Sequence, residues 1–582
     1  MSLLSSPLLA FPLISPAHPQ CLSNKHLSQH VDVHIYEKSP EVGGTWFENR
    51  YPGCACDVPS HLYQYSFAQN TDWSRLYAHP CFLFFSFQMI QSYLKAVAQK
   101  YNLNPHISLN SRVEHALWDQ DRGVWRVDIA NHGTIESQIL INAGGILNNP
   151  QMPNIRGLDT FKGPILHTAA WDHTVDLVGK RAAIIGAGAS AVQLLPEIRE
   201  VVDHVDIYIR TPSWISPPVA LPEGFEKGHV YTEAEKRSFK TDKEAYLAMR
   251  KGLEDQFNMM FSAFMKESPE QQSLRARFEG RMKEIIRDKA LQEKLIPKFE
   301  AGCRRVNPGE EYLITLQQDN VRPVFDPIRE IVSDGVVLED GSMNPAEILI
   351  AATGFNTSFR PRFPIIGADG MNLQDLWETN PVSYFGLAVA GFPNYLMFLG
   401  PNTPISNGSL MGPLEATGDY ITRLLRKTVR QQIQSFSVRP DAQAEFDAHT
   451  QSCMSNMVWT GTCRSWYKNN TTGKITALWP GSSLHHMQTL AEDRWEDSDF
   501  TYRGNRFAYW GRGLSFSPWE HSISCTTQPT QRAFTQQQRT QHLPKPPAES
   551  AVLQSHGNAI RLNLLHGYIV NRSSRRHIRI RK

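Results

Sequence analysis

The chain has 582 residues, 41% of them hydrophobic and 20% charged, which is too long for one ordinary core and has the composition of a soluble globular protein. Its formal charge of +2 is uneven: Gln531–Lys582 carries ten Lys/Arg and one acid, leaving 49 basic and 56 acidic residues upstream. That net of −7 excludes a basic nucleic-acid-binding body. The eight cysteines are scattered without zinc-type pairs, which argues for a reducing, cytoplasmic setting and against a disulfide scaffold. No apolar run reaches about 18 residues, and the N-terminus is broken by prolines and lacks a basic start, so neither a membrane span nor a signal peptide is expected.

In chain order, residues 1–30 hold no glycine, and the first glycine of the chain is Gly43. Residues 31–37, VDVHIYE, read as a buried strand ending in an acid, followed by the Gly/Pro-punctuated loop EVGGTWFENRYPGCACDVPS. The apolar run 81–89 stands where a polar helix start would be expected, and 88–101 reads as a helix. Gly123–Ala130 and Gly133–Asn142 read as a β-hairpin region leading to Ala143-Gly-Gly145. Residues 176–210 read as a β-α-β unit and 224–300 as a charged helical insertion. Val321–Phe355 returns to strands, and 380–410 and 453–513 are aromatic and turn-rich. Beyond Phe516 the composition is that of a disordered tail.

Two nucleotide sites follow from local chemistry. The strand Arg181–Ile185 runs into Gly186-Ala-Gly188-Ala189-Ser190-Ala191, where glycines let the backbone approach a pyrophosphate and a helix N-terminus offers N–H groups. Arg210, with Thr211, closes the next strand, and a guanidinium there favours the 2′-phosphate of NADPH over the plain ribose of NADH. Glu37 stands where a ribose-binding acid belongs, with Gly43-Gly44-Thr45-Trp46 behind it. The Gly-rich turn that should precede Glu37 by about 20 residues is missing from the sequence. His485-His486 has no third ligand placed by spacing, so no metal site is expected.

The spaced residues Phe161, Gly163, His167, Trp171 and Asp172 form F-x-G-x-x-x-H-x-x-x-W-D, which resembles the fingerprint of the Baeyer–Villiger monooxygenases. The string GGTWFENRYPGCACDVPSHLYQYSF resembles the flavin-domain segment of that family, and ATGF (352–355), FLGPN (398–402) and CRSWYKN (463–469) resemble its later segments. The resemblance covers residues 31–513, and GCRRVNPG and CRSWYKN look most like fungal members of secondary metabolism. It implies an α/β fold with two Rossmann-like dinucleotide-binding domains, the NADPH domain inserted into a discontinuous FAD domain whose first βαβ element is missing here. The implied boundaries are an atypical 1–30, an FAD part with linker at 31–175, an NADPH domain at 176–345, a second FAD part at 346–515 and a tail at 516–582.

The resemblance also implies site roles. FAD contacts fall at Glu37, Gly43, Gly44, Thr45, Trp46, Asp57, Val58 and Tyr63. NADPH contacts fall at Gly186, Gly188, Ala189, Ser190, Ala191, Arg210, Thr211, Arg304 and Trp466. Arg305 is the essential arginine over the flavin, and Asp57 holds it. A fixed guanidinium suits oxygen chemistry that builds negative charge in a water-poor site. His167 is implied to act in positioning and domain motion rather than in proton transfer. The expected reaction is an FAD- and NADPH-dependent insertion of oxygen next to a ketone, with a small ketone and O2 as partners and neither nucleic acid nor membrane. Two other readings stand beside it: an N- or S-oxygenating flavin monooxygenase, and an inactive, truncated or misassembled member.

Overall fold

The computed structural model describes residues 7–10, 31–77, 87–217, 221, 225 and 228–511. Residues 1–506 make one compact unit, and 507–582 a second, of which 507–511 are described. The expectations for 81–86 and for the tail beyond Phe516 lie outside the described residues.

Two five-stranded parallel sheets carry the unit. The first runs in the order Tyr395–Met397, Leu140–Asn142, Pro7–Ala10, Asp32–Tyr36, Ile107–Ser108. The second runs Val321–Val324, His204–Tyr208, Arg181–Ile185, Ile348–Ala351, Ile165–His167. Parallel strands are covered on both faces and therefore read as short unbroken apolar runs, as RAAII and ILIA do. Helices follow or flank both sheets, so the fold is α/β with two nucleotide-type sheets.

The reading that residues 1–30 supply no first strand is corrected. Pro7–Ala10 is the central strand of the first sheet, with Leu8 opposite Val33 on one side and Leu9 opposite Leu140 on the other. Proline is tolerated as the first residue of a strand. Without a glycine after it, nothing local marks it as the opening of a nucleotide fold. Residues 11–30, where the turn and helix would lie, are outside the described residues.

The second sheet also reaches past 176–345 on both sides, through Ile165–His167 and Ile348–Ala351. The hairpin Val124–Ile129 and Gly133–Ser137 joins Val113–Asp119 and Ile365–Ile366 in a separate four-stranded sheet, whereas Leu140–Asn142 leaves it for the first sheet. The helical insertion comprises Glu233–Thr241, Lys243–Met259, Pro269–Ile285 and Lys289–Leu295. Each starts on a side-chain cap: Thr232, with a reciprocal Glu235, then Asp242, Ser268 and Asp288. Two long helices, Met411–Gln431 and Pro440–Met454, fall where no element is expected above.

Against the expectation of a reducing setting, one cysteine pair is oxidised. Cys303 and Cys463 are bonded across 160 residues of sequence, a pairing that only the tertiary fold creates. Cys56 and Cys453 are free thiols. No helix among the described residues is long and apolar enough to cross a membrane.

One close contact ties the loop 51–57 to the helix Ala189–Ile198 of the second sheet. Tyr51 donates its hydroxyl to Gln193 Oε1 at 2.7 Å, and Gln193 Nε2 donates to the Ala55 carbonyl at 3.0 Å. Gly53 sits at φ +82°, and a Cβ there would stand 2.2 Å from the Gln193 carbonyl oxygen. A Gly53→Ala change should therefore destabilise the protein by about 2–4 kcal/mol, from left-handed backbone cost plus overpacking. A thermal melt reads this as a Tm several degrees lower; an unchanged Tm would show that the loop does not depend on this approach.

Candidate active site

The strand Arg181–Ile185 delivers the chain into the glycine turn. Gly186 has φ +120°, and a Cβ on it would come within 2.5 Å of the Ala352 carbonyl. The helix Ala189–Ile198 then begins at Gly188 with no side chain capping its first turn. The N–H groups of Ala189, Ser190 and Ala191 thus open the helix without an internal cap, an arrangement suited to a pyrophosphate. Arg210 and Thr211 follow the neighbouring strand His204–Tyr208. Arg304 reaches the same place from the other side, with Nη1 donating to the Pro212 carbonyl at 3.4 Å. Burial, and then the charge of Arg210, hold the Arg304 guanidinium below its ordinary pKa. Two mutually repelling cations beside an uncapped helix start fit the doubly charged phosphate of NADPH.

A second cleft, of about 380 Å³, opens at the C-terminal ends of the first sheet's strands. That is where open parallel sheets bind ligands. Glu37, Arg112, Asn142, Gly144 and Arg362 line it. Glu37 is 2% exposed, and its Oε1 accepts the Ser39 N–H at 2.7 Å. Burial raises its pKa from 4.5 to about 7, with the Ser39 hydrogen bonds opposing the rise. A buried carboxylate at a strand end, facing a polar cleft, is the chemistry that a ribose diol satisfies. Gly43 (φ +137°) and Gly44 (φ +50°) turn the chain into the short helix Thr45–Glu48. Trp46 is buried and donates its Nε1 to the Tyr63 hydroxyl at 3.3 Å, and Val58 is buried beside them. These residues fit FAD.

Asp57 and Arg305, 248 residues apart in sequence, meet. Arg305 Nε donates to Asp57 Oδ2 at 2.6 Å. About a third of each side chain remains accessible, 36% and 30% respectively, so both still face open space. Burial pushes the Asp57 carboxyl up, but the charge and hydrogen bond of Arg305 outweigh it and hold Asp57 below its ordinary value. The charge of Asp57 in turn raises Arg305, which is a permanent cation. A smaller cavity of about 70 Å³ lies against Asp57, bounded by Gln193 and Glu197 of the second sheet's helix. Burial raises the pKa of the Tyr467 hydroxyl, and the nearby Arg305 guanidinium opposes that rise. Trp466 packs against Tyr467, ring centroids 4.8 Å apart.

The structure thus gathers Asp57 and Arg305 in one place, and Gly186, Gly188, Arg210, Thr211 and Arg304 in another. His167 joins neither set. It is buried at the end of its strand, Nδ1 accepts the Ala169 N–H at 3.0 Å, and its ring stands edge-on to Phe355. Burial lowers its pKa. Phe161 packs into the core, and Gly163 lets the Glu347 carbonyl pass where a Cβ would stand 2.1 Å from it. Three things were missed from sequence: Tyr467, Arg362, and the anchoring of Ala55 by Gln193. The first was findable as the neighbour of Trp466; the other two carry no local signal. Among the described residues no cluster of three or more His, Cys, Asp or Glu could hold a metal ion.

A Glu37 carboxyl with its pKa raised to about 7 makes cofactor uptake pH-dependent. Ribose hydroxyls donate to the charged form, so FAD uptake should release a proton near pH 6. Affinity of the FAD-free protein for FAD should rise from pH 6 to pH 8 and level off above. Calorimetry in two buffers of different ionisation enthalpy reads the proton, and Glu37→Gln should bind more weakly with no such slope. A slope that survives in Glu37→Gln would assign it to another group.

Comparison with known proteins agrees with this geometry. The flavin-binding monooxygenase-like family model matches residues 23–266. The FAD-binding monooxygenase moxY of Dothistroma septosporum is 39% identical over 499 residues, covering 83% of this chain and 78% of that protein. A Baeyer–Villiger monooxygenase of Streptomyces coelicolor is 35% identical over 457 residues, covering 78% of this chain and 85% of that one. A closed crystal structure of cyclohexanone monooxygenase superposes with a TM-score of 0.74 at 25% identity, covering 86% of this chain and all of that one. An NADP+-bound cyclohexanone monooxygenase from Rhodococcus sp. Phi1 gives the same TM-score at 24% identity, with the same coverage. The chain is therefore a member of the Baeyer–Villiger group of flavin-binding monooxygenases, an FAD- and NADP-dependent oxidoreductase.

Proposed function

We propose that the protein carries out Baeyer–Villiger oxidation: ketone, O2, NADPH and a proton become an ester or lactone, NADP+ and water. The observation that carries this reading is the Arg305–Asp57 pair, 2.6 Å between Nε and Oδ2, with both side chains about a third accessible. The segments around Arg305 and Trp466 favour a ketone of fungal secondary metabolism as substrate. The two sheets support an NADPH domain, with strands from Ile165 to Ala351, inserted into an FAD domain whose sheet resumes at Tyr395.

Bound FAD would supply electron transfer from NADPH and the activation of O2. The protein's part is position and charge. Glu37 would hold the flavin nucleotide's ribose, and the 43–46 turn, Val58 and Tyr63 would shape the flavin's seat. The Gly186–Ala191 turn would take the NADPH pyrophosphate, with Arg210, Thr211 and Arg304 on the 2′-phosphate and Trp466 over the cofactor. Arg305 would stabilise the negative charge that develops on oxygen as the ketone carbonyl is attacked, a role in which a pre-oriented cation loses nothing to reorganisation. Asp57 keeps the guanidinium oriented and leaves its remaining N–H groups free to donate.

Arg305→Ala should retain flavin but lose product formation by about 100-fold or more. Product yield on a ketone, with flavin absorbance measured on the same sample, checks this; normal yield would remove Arg305 from the reaction. A thioether assayed in parallel separates the ketone reading from S-oxygenation. Arg210→Ala should raise the KM for NADPH by about 10-fold or more while leaving that for NADH unchanged, since only the 2′-phosphate contact is lost. Equal effects on both coenzymes would place Arg210 elsewhere.

A further inference from the structure

Arg305 sits on a stretch with no helix or strand of its own; residues 301–306 are turn and coil before the two-residue strand Asn307–Pro308. Such backbone has no ladder to fix it. On its C-terminal side the chain is held by the pairing of Asn307–Pro308 with Ile215–Ser216; on its N-terminal side the hold lies two residues earlier. Cys303 is fully buried and bonded to Cys463, itself 3% exposed, with Cα atoms 6.2 Å apart. Cys463 opens the segment that carries Trp466 and Tyr467.

The two turns press together around this bond. Gly302 has φ +88°, and a Cβ there would strike the Phe264 ring at 2.5 Å. On the facing turn, a Cβ on Gly461 would stand 2.5 Å from Glu300 Oε2 and 3.3 Å from Cys303 Sγ. Phe264 belongs to the small core built from Val458, Trp459, Tyr467 and Leu478. Tyr467 is 1% exposed and fixed by its own backbone, whose carbonyl accepts the N–H groups of Thr476 and Ala477, each at 3.1 Å.

We propose that the Cys303–Cys463 disulfide and Tyr467 are positioning elements for Arg305, pinning its turn to the 463–467 segment so that the guanidinium is held between the Asp57 carboxylate and the Tyr467 hydroxyl. This rests on the reading of Arg305 as the charge-stabilising residue. A reacting geometry misplaced by about 1 Å loses on the order of 100-fold in rate. A loosened Arg305 would let oxygen activation proceed without transfer to the ketone. The enzyme would then run the side reaction NADPH + H+ + O2 → NADP+ + H2O2.

The test uses full-length protein loaded with FAD. Alkylation of the denatured protein before and after reduction, read by peptide mass spectrometry, should find Cys303 and Cys463 linked and protected until reduced. Both alkylated without reductant would overturn the proposal. The double variant Cys303→Ser/Cys463→Ser should keep its flavin and its KM for NADPH within about twofold. Its yield of ester or lactone per NADPH should fall at least fivefold, with H2O2 making up the difference. Should that variant fail to fold, Tyr467→Phe, which keeps the disulfide and the ring, should show the same split at smaller amplitude, about threefold. In an Arg305→Ala background neither change should lower the residual product yield further. Full yield per NADPH in Tyr467→Phe, or in the double serine variant, while Arg305→Ala is inactive overturns the positioning role. A productive Arg305→Ala instead overturns the reading of Arg305 beneath it.

Discussion

The structure is organised around one charge pair. Asp57 comes from a loop after the second strand of one sheet, and Arg305 from the turn that follows the helical insertion of the other. Leaving either charge alone in a partly buried site would cost more than the pair returns, so the two segments are obliged to meet. Everything nearby serves that meeting. Gly53 allows the Asp57 loop to lie directly on the helix Ala189–Ile198, and Gln193 holds it there from both ends of its amide.

Around this pair the electrostatics are left unbalanced in a directed way. Glu37 is buried where it can ionise only reluctantly, and Arg304 and Arg210 face each other as like charges. Each is a cost to the protein standing alone. On the proposed reading, hydroxyl donors would relieve the first and a phosphate dianion the second, and binding energy would then be coupled to stability.

The parts legible in the sequence were those whose physics is local. The Gly186–Gly188 turn, its strand and its helix declare themselves within ten residues, because backbone clearance and a helix start need particular residues at fixed offsets. The helical insertion declares itself by the charged, helix-forming composition of 224–300, which has few Gly or Pro. The meeting of Asp57 with Arg305 was legible only through family resemblance, since 248 residues separate them. The Cys303–Cys463 bond was not legible at all: eight scattered cysteines allow too many pairings. Pro7–Ala10 carried no signal because four residues are too short to show a period, and no glycine follows it to mark a nucleotide turn. The helix Met411–Gln431 carries a helical-period signal in the buried Leu414, Ile421, Leu424 and Leu425, between aromatic, turn-rich flanks.

The order of strands in the first sheet bears on how the protein comes into being. Its central strand is made first, at Pro7–Ala10, and its last edge strand, Tyr395–Met397, emerges only after the whole second sheet has been synthesised. During vectorial synthesis the inserted domain can therefore close while the surrounding one is still waiting for its final strand. Non-local parallel pairing of this kind is slow, and an unpaired strand edge is exposed meanwhile. The open edge of Leu140–Asn142 must stay unpaired for about 250 residues until Tyr395–Met397 is made, which makes the ribosome-bound stage, rather than the finished enzyme, the point at which this architecture is most vulnerable to aggregation.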